Sequence, residues 1–169
     1  MNKLFIAAVL LVAFTTTKSQ EVKRTIGVGL QSSFPMYGLS VKYAVTEQSV
    51  IQATIAPFGA STDGGSVSMN FYGARYIHRF PGDDGANTVI DPYLFVGGGL
   101  VNYTTNYTAL GLGKTSSSFF GYSAGGGVEL LVASKFGLSG ELGYGKWGIT
   151  SGVAVNSILF GVGAHFYIK

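Results

Sequence analysis

From Ser157 to Lys169 the chain reads Ser-Ile-Leu-Phe-Gly-Val-Gly-Ala-His-Phe-Tyr-Ile-Lys, and the alternation in this stretch decides the fold. Ile158, Phe160, Val162, Ala164, Phe166 and Ile168 form one parity, while Leu159, Gly161, Gly163, His165 and Tyr167 form the other. Successive side chains of a strand point to opposite faces, so one face is continuously apolar and the other is mostly small or polar. A soluble barrel would keep its oily face inside. Here the glycine-rich face suits a crowded interior and the bulky face suits lipid, the arrangement of a membrane-spanning barrel.

The N-terminus predicts export. Lys3 precedes an apolar run from Leu4 to Phe14, and Thr15-Thr16-Thr17-Lys18-Ser19-Gln20 follows. This is the layout of a secretory signal peptide, with Thr17 and Ser19 suited to the −3 and −1 positions of a cleavage site. Eleven apolar residues fall short of the roughly 20 a membrane-spanning helix needs. The expected organisation is a signal peptide over 1–19 and one barrel domain over 20–169. Without Lys3 and Lys18 the chain keeps nine basic and eight acidic residues, and its formal charge falls from +3 to +1. Nothing in that balance points to a nucleic-acid partner. The absence of cysteine excludes a disulfide framework and a lipoprotein anchor. With 14% aromatic residues, 26 glycines and only 11% charged residues, the composition argues against disorder and for closely packed strands.

Period-two alternation gives eight candidate strands. They run over about Lys23–Gln31, Tyr37–Val45, Ser49–Phe58, Ser66–Phe80, Val89–Tyr103, Ser118–Val132, Phe136–Trp147 and Ser157–Lys169. The alternation of the fourth slips near Phe71-Tyr72, which predicts a bulge there. Pro92, lacking a ladder donor, belongs near the start of the fifth. Connections after even strands are compact, at Thr46–Gln48, Pro81–Asn87 and Ala133–Lys135. Those after odd strands are longer, at Gly59–Gly65, Thr104–Ser117 and Gly148–Asn156, with Ser32–Met36 the short exception. An even strand count places both termini on the side of the short turns. Aromatic girdles are expected at Tyr37, Phe58, Tyr103, Phe119, Tyr144 and Trp147 on the loop side, and at Tyr43, Phe80, Tyr93, Phe136 and Phe166 on the turn side. The fold class is therefore all-β, a single eight-stranded antiparallel up-and-down transmembrane β-barrel.

Three segments carry a family resemblance: Pro92-Tyr93-Leu94-Phe95-Val96-Gly97-Gly98-Gly99, Gly125-Gly126-Gly127-Val128-Glu129-Leu130, and Gly140-Glu141-Leu142-Gly143-Tyr144. Together they resemble the small outer-membrane β-barrel family, which includes OmpX-like proteins and the membrane domains of OmpA-like proteins. The resemblance implies a bacterial, Gram-negative outer-membrane location, with lipid outside the barrel and both mature termini in the periplasm. It also implies that Phe160, Val162, Phe166 and Ile168 form a C-terminal assembly signal read by the barrel-insertion machinery. The chain departs from the commonest form of that signal by ending in Lys169 rather than Phe.

Lys42, Arg75, Glu129 and Glu141 fall on the predicted inner face, where an eight-stranded barrel has room only for side chains. Buried charges require partners, so these four are expected to form an ion-pair network that fills the lumen. A gated polar path for small solutes is the sharper alternative. The two carboxylates lack a neighbouring nucleophile, and neither His78 nor His165 has a serine beside it, so no catalytic constellation is predicted. Two histidines without cysteine make a poor metal site, and no cofactor is expected. Gly111-Leu112-Gly113-Lys114-Thr115 lacks the leading glycine of a phosphate-binding loop, because Thr108 stands in its place. Tyr103, Tyr107 and Lys114 are the candidate contacts of an extracellular loop with a surface partner.

The leading expectation is thus a non-enzymatic outer-membrane barrel serving envelope integrity or surface interaction. The alternatives are a narrow porin-like channel and a soluble, lipocalin-like barrel holding an apolar ligand, with Ile158, Phe160 and Val162 turned inward.

Overall fold

The computed structural model describes residues 26–84, 88–107, 111, 113–133, 135–150 and 153–168. The expected signal peptide over 1–19 lies outside the described residues, as does Lys169. The strands are β1 (Ile26–Ser33), β2 (Met36–Ala44), β3 (Ser49–Thr62), β4 (Gly65–Arg79), β5 (Asp83–Asp84), β6 (Thr88–Asn106), β7 (Lys114–Val132), β8 (Phe136–Thr150) and β9 (Val153–Ile168). β5 is only a two-residue rung on the start of β6. The other eight close into an antiparallel up-and-down ring, β1 joining β9 through Ile26↔Ile168 to Ser32↔Val162, and β4 joining β6. Closure leaves no open edge across the middle of the barrel, so its backbone groups pair within the ladder rather than with lipid.

The orientation of β9 decides between lipid and water outside. Phe160 is 78% exposed and Val162 65%, with Ile158, Phe166 and Ile168 on the same outer face. Gly161, Gly163, His165 and Tyr167 point inward. This disfavours the lipocalin-like alternative, because Ile158, Phe160 and Val162 point outward and the interior at their level holds charge and glycine. From Ile158 to Ile168 the strand advances ten residues. At about 3.3 Å per residue and a tilt near 40°, that spans roughly 25 Å, the height of an outer-membrane apolar band.

Three expectations need correction. Most of the described residues of Gly59–Gly65, Thr104–Ser117 and Gly148–Asn156 are strand rather than loop: β3 and β4 meet across Asp63-Gly64, and β6 pairs with β7 as far as Asn106↔Lys114. Polar side chains there and one row below pair across the ladder, as in Thr104–Ser116 (3.1 Å between hydroxyls) and Ser118–Asn102 (2.9 Å).

There is also no bulge at Phe71-Tyr72, since β4 keeps one register with β3 and with β6 from end to end. The register shift observed lies between Gly148 and Thr150. What changes at Phe71-Tyr72 is the polarity of the faces. Ile55, Tyr72, Leu100 and Phe120 stand opposite one another in an outer apolar row. The next outer rows are Asn70, Asn102 and Ser118, then Ser68, Thr104 and Ser116. Over the same stretch the inner face turns apolar, through Phe71, Val101 and Phe119. The strands have left the apolar band, so their outer face now meets water.

The third correction follows from the second. Phe58, Tyr103, Phe119 and Trp147 are not girdle residues, because each lies on the inner parity of its strand. Tyr93 is likewise inside and 3% exposed, whereas Tyr43, Phe80, Phe136, Tyr144 and Phe166 face outward.

Candidate functional site

The lumen has two storeys. The lower is polar and holds six buried residues of formal charge: Lys42, Arg75 and Arg79 against Asp91, Glu129 and Glu141. Their formal charges cancel. Glu129 on β7 accepts from Lys42 Nζ of β2 at 2.7 Å, from Arg79 Nη2 of β4 at 3.4 Å and from the Tyr167 hydroxyl of β9 at 2.7 Å. Glu141 on β8 is held by the fork of Arg75, with Nη1 at 2.8 Å and Nη2 at 2.5 Å, and by the Tyr93 hydroxyl at 2.6 Å. The two-pronged Arg75–Glu141 geometry is the strongest form of carboxylate pairing.

Neutral groups link the two clusters. Gln52 accepts from Arg75 Nε at 2.7 Å and donates to Ser40 Oγ at 2.6 Å and to Gln31 Oε1 at 3.2 Å. His165 Nε2 lies 2.9 Å from the same Ser40 hydroxyl. The Arg75 guanidinium also stacks over Phe95, 4.8 Å from its centroid. Inner-face glycines leave room for these long side chains; a β-carbon on Gly127 would sit 2.7 Å from the Tyr93 ring.

Lys42, Arg75, Glu129 and Glu141 therefore meet in one network. Tyr167 stands on the glycine-rich parity read from the sequence, whereas Arg79, Asp91, Tyr93 and Gln52 were not among the expected site residues, yet each shares the inner parity of its strand. His78 faces outward beside Tyr76 and Phe80, whereas His165 is fully buried inside, so the two histidines share no site. Among the described residues no cluster of three metal-ligating side chains forms.

The upper storey is apolar. The connection between β1 and β2 turns inward, and Phe34, Pro35 and Met36 are buried in the barrel. Phe34 stacks on Trp147 of β8 with centroids 3.6 Å apart, and the Met36 sulfur lies 3.8 Å from Thr54 Oγ1 of β3. A β-carbon on Gly99 of β6 would press on the Pro35 ring at 3.1 Å, and one on Gly121 of β7 on Phe34 at 2.8 Å. This hairpin tip thus touches strands around the ring and floors a mouth lined by aromatic side chains. Of the residues expected as loop contacts, Tyr103 lines this mouth, while Tyr107 and Lys114 are exposed at the β6–β7 tip. Phe160, Val162, Phe166 and Ile168 are far from either storey, on the outer face of β9.

A closed eight-stranded ring, apolar outside and polar inside, is the fold of the small outer-membrane barrels. Among solved structures, the N-terminal β-barrel domain of Pseudomonas aeruginosa OprF superposes with a TM-score of 0.55 at 16% identity, covering 85% of this chain and 95% of that one. Ail, the attachment invasion locus protein of Yersinia pestis, was solved in complex with the heparin analogue sucrose octasulfate. It superposes with a TM-score of 0.53 at 13% identity, covering 85% of this chain and 97% of that one. Identities this low establish the shared fold and nothing finer. No protein-family model and no curated protein matches the chain by sequence.

Proposed function

We propose that the protein is an exported, non-enzymatic outer-membrane barrel of a Gram-negative bacterium, closed to solutes and acting in envelope integrity or surface interaction. In this reading residues 1–19 are cleaved on export and both mature termini lie in the periplasm. The β3–β4, β6–β7 and β8–β9 hairpins extend outside the cell, where Tyr107 and Lys114 are available to a surface partner. The observation that carries the reading is the pairing of opposites: an outer face that only lipid would accept, and a lumen filled by a charge-balanced network. A narrow channel would need those buried side chains to move aside together. Outside the cell, long hairpins on a rigid barrel are a natural recognition surface.

The chain has no cysteine, so topology is testable with single introduced ones. Asp63→Cys at the β3–β4 tip should react with a membrane-impermeant maleimide on intact cells, and Thr46→Cys should react only after the outer membrane is opened. The mature protein should fractionate with the outer membrane and change gel mobility on boiling. In planar bilayers it should give no sustained stepwise current. Soluble recovery without detergent, or labelling of Thr46→Cys on intact cells, would refute the proposal.

A further inference from the structure

The aromatic mouth forms an open cavity of about 540 Å³, within the 300–1,000 Å³ common for small-molecule sites. Its walls come from rigid strands, through Tyr37, Met69, Phe71, Tyr103 and Trp147, and its floor is Phe34. No lining residue carries a charge. The rings pack in part on one another, with Tyr37 and Phe71 5.2 Å apart and Phe34 on Trp147, but they do not fill the space. An aromatic cluster serving only to seal the barrel would collapse until no such volume remained, because interiors pack to crystal-like density. Here the wall side chains stay partly exposed around an open cavity. Such a preformed apolar surface gains most from a flat apolar occupant. No hydrogen bond within the described residues engages the Tyr37 or Tyr103 hydroxyl or the Trp147 indole N–H, so donors remain for a polar atom on the ligand.

We infer that the mouth is a binding site for a neutral, ring-containing small molecule bearing a hydrogen-bond acceptor. The rings stack the ligand and the free donors orient it. The uncharged walls reject an ionised analogue, which would lose its hydration without gaining a counter-charge. The inference stands apart from whatever the extended hairpins recognise.

Trp147 is the only tryptophan in the chain, so its indole N–H gives a single reporter at the site. The test uses the full-length mature barrel in lipid nanodiscs, with the indole cross-peak followed in ¹H–¹⁵N spectra. The probes are coumarin, a neutral bicycle with a carbonyl acceptor, and coumarin-3-carboxylate, its ionised relative. Coumarin should shift the peak saturably, and the carboxylate should bind at least tenfold more weakly. Met69→Arg, which places a cation in the wall, should weaken coumarin at least tenfold, while Tyr144→Ala on the outer face should leave it unchanged. Tyr103→Phe keeps the ring, removes one donor, and should weaken coumarin several-fold; it serves if Met69→Arg does not fold. A non-saturating drift shared by all variants would mean partition into the bilayer only and would overturn the inference. So would equal binding of the two probes, or coumarin binding unaffected by both wall substitutions.

Discussion

Replacing Glu129 by glutamine removes one negative charge from the best-connected carboxylate of the lumen. Glu129 is 1% exposed and faces Lys42, Arg79 and Tyr167 at once. The amide keeps the size of the side chain but offers its NH₂ or a weaker acceptor to two cations. Breaking a buried pair from one side leaves an uncompensated buried charge, at a cost of about 3–5 kcal/mol. With a urea dependence of about 2 kcal/mol per molar, the unfolding midpoint should fall by roughly 1.5–2.5 M. The assay is equilibrium unfolding of the barrel in lipid vesicles, followed by Trp147 emission and by gel mobility without boiling. Adding Lys42→Met removes the stranded ammonium, so the double variant should regain about 2 kcal/mol relative to additivity, within the range seen for networked residues. A Glu129→Gln barrel within about 0.5 kcal/mol of the parent, or strictly additive single effects, would show that the ion pair does not matter to stability, and the reasoning would fail.

Further outcomes follow from space, lipid contact and backbone shape. Gly97→Ala puts a methyl against the Arg75 β-carbon and 2.7 Å from the Ala74 carbonyl oxygen, so overpacking should cost about 1–3 kcal/mol in the same unfolding assay. Val162→Arg lies midway along the outer apolar run of β9. It should cost about 2–4 kcal/mol in vesicles, whereas a water-facing site would tolerate it within about 0.5 kcal/mol. Ala133 turns between β7 and β8 with φ at 51°. Ala133→Gly should therefore raise stability by about 0.5–1 kcal/mol, and an unchanged or lower midpoint would count against the left-handed conformation.

Strand existence and the sense of inside and outside were legible because, across the apolar band, one rule holds: lipid outside, polar groups and glycine inside. Parity then places Lys42 with Ser40, and Glu129 with Gly127. Two kinds of information were not local. Beyond Tyr72, Leu100 and Phe120 the rule inverts, because water replaces lipid on the outside, and an unbroken strand then imitates a register slip. Aromatic residues near strand ends mark a boundary but not a face. Only the parity Trp147 shares with Glu141, or Tyr103 with Asp91, puts them inside. The inward turn of Phe34-Pro35-Met36 left no trace in periodicity, since it depends on surfaces supplied by Thr54, Gly99, Gly121 and Trp147 from four other strands.

The lumen's ion pairs join partners far apart in the chain: Lys42 and Glu129 are separated by 87 positions, and Arg75 and Glu141 by 66. No single hairpin contains both members of either pair. A half-built sheet lying in a bilayer would therefore hold unpaired cations and carboxylates against hydrocarbon, and, built from either end, its six lumen charges balance only with the last hairpin. Charge neutrality and ring closure arrive in one step. The incomplete sheet therefore needs shelter from lipid until β1 meets β9.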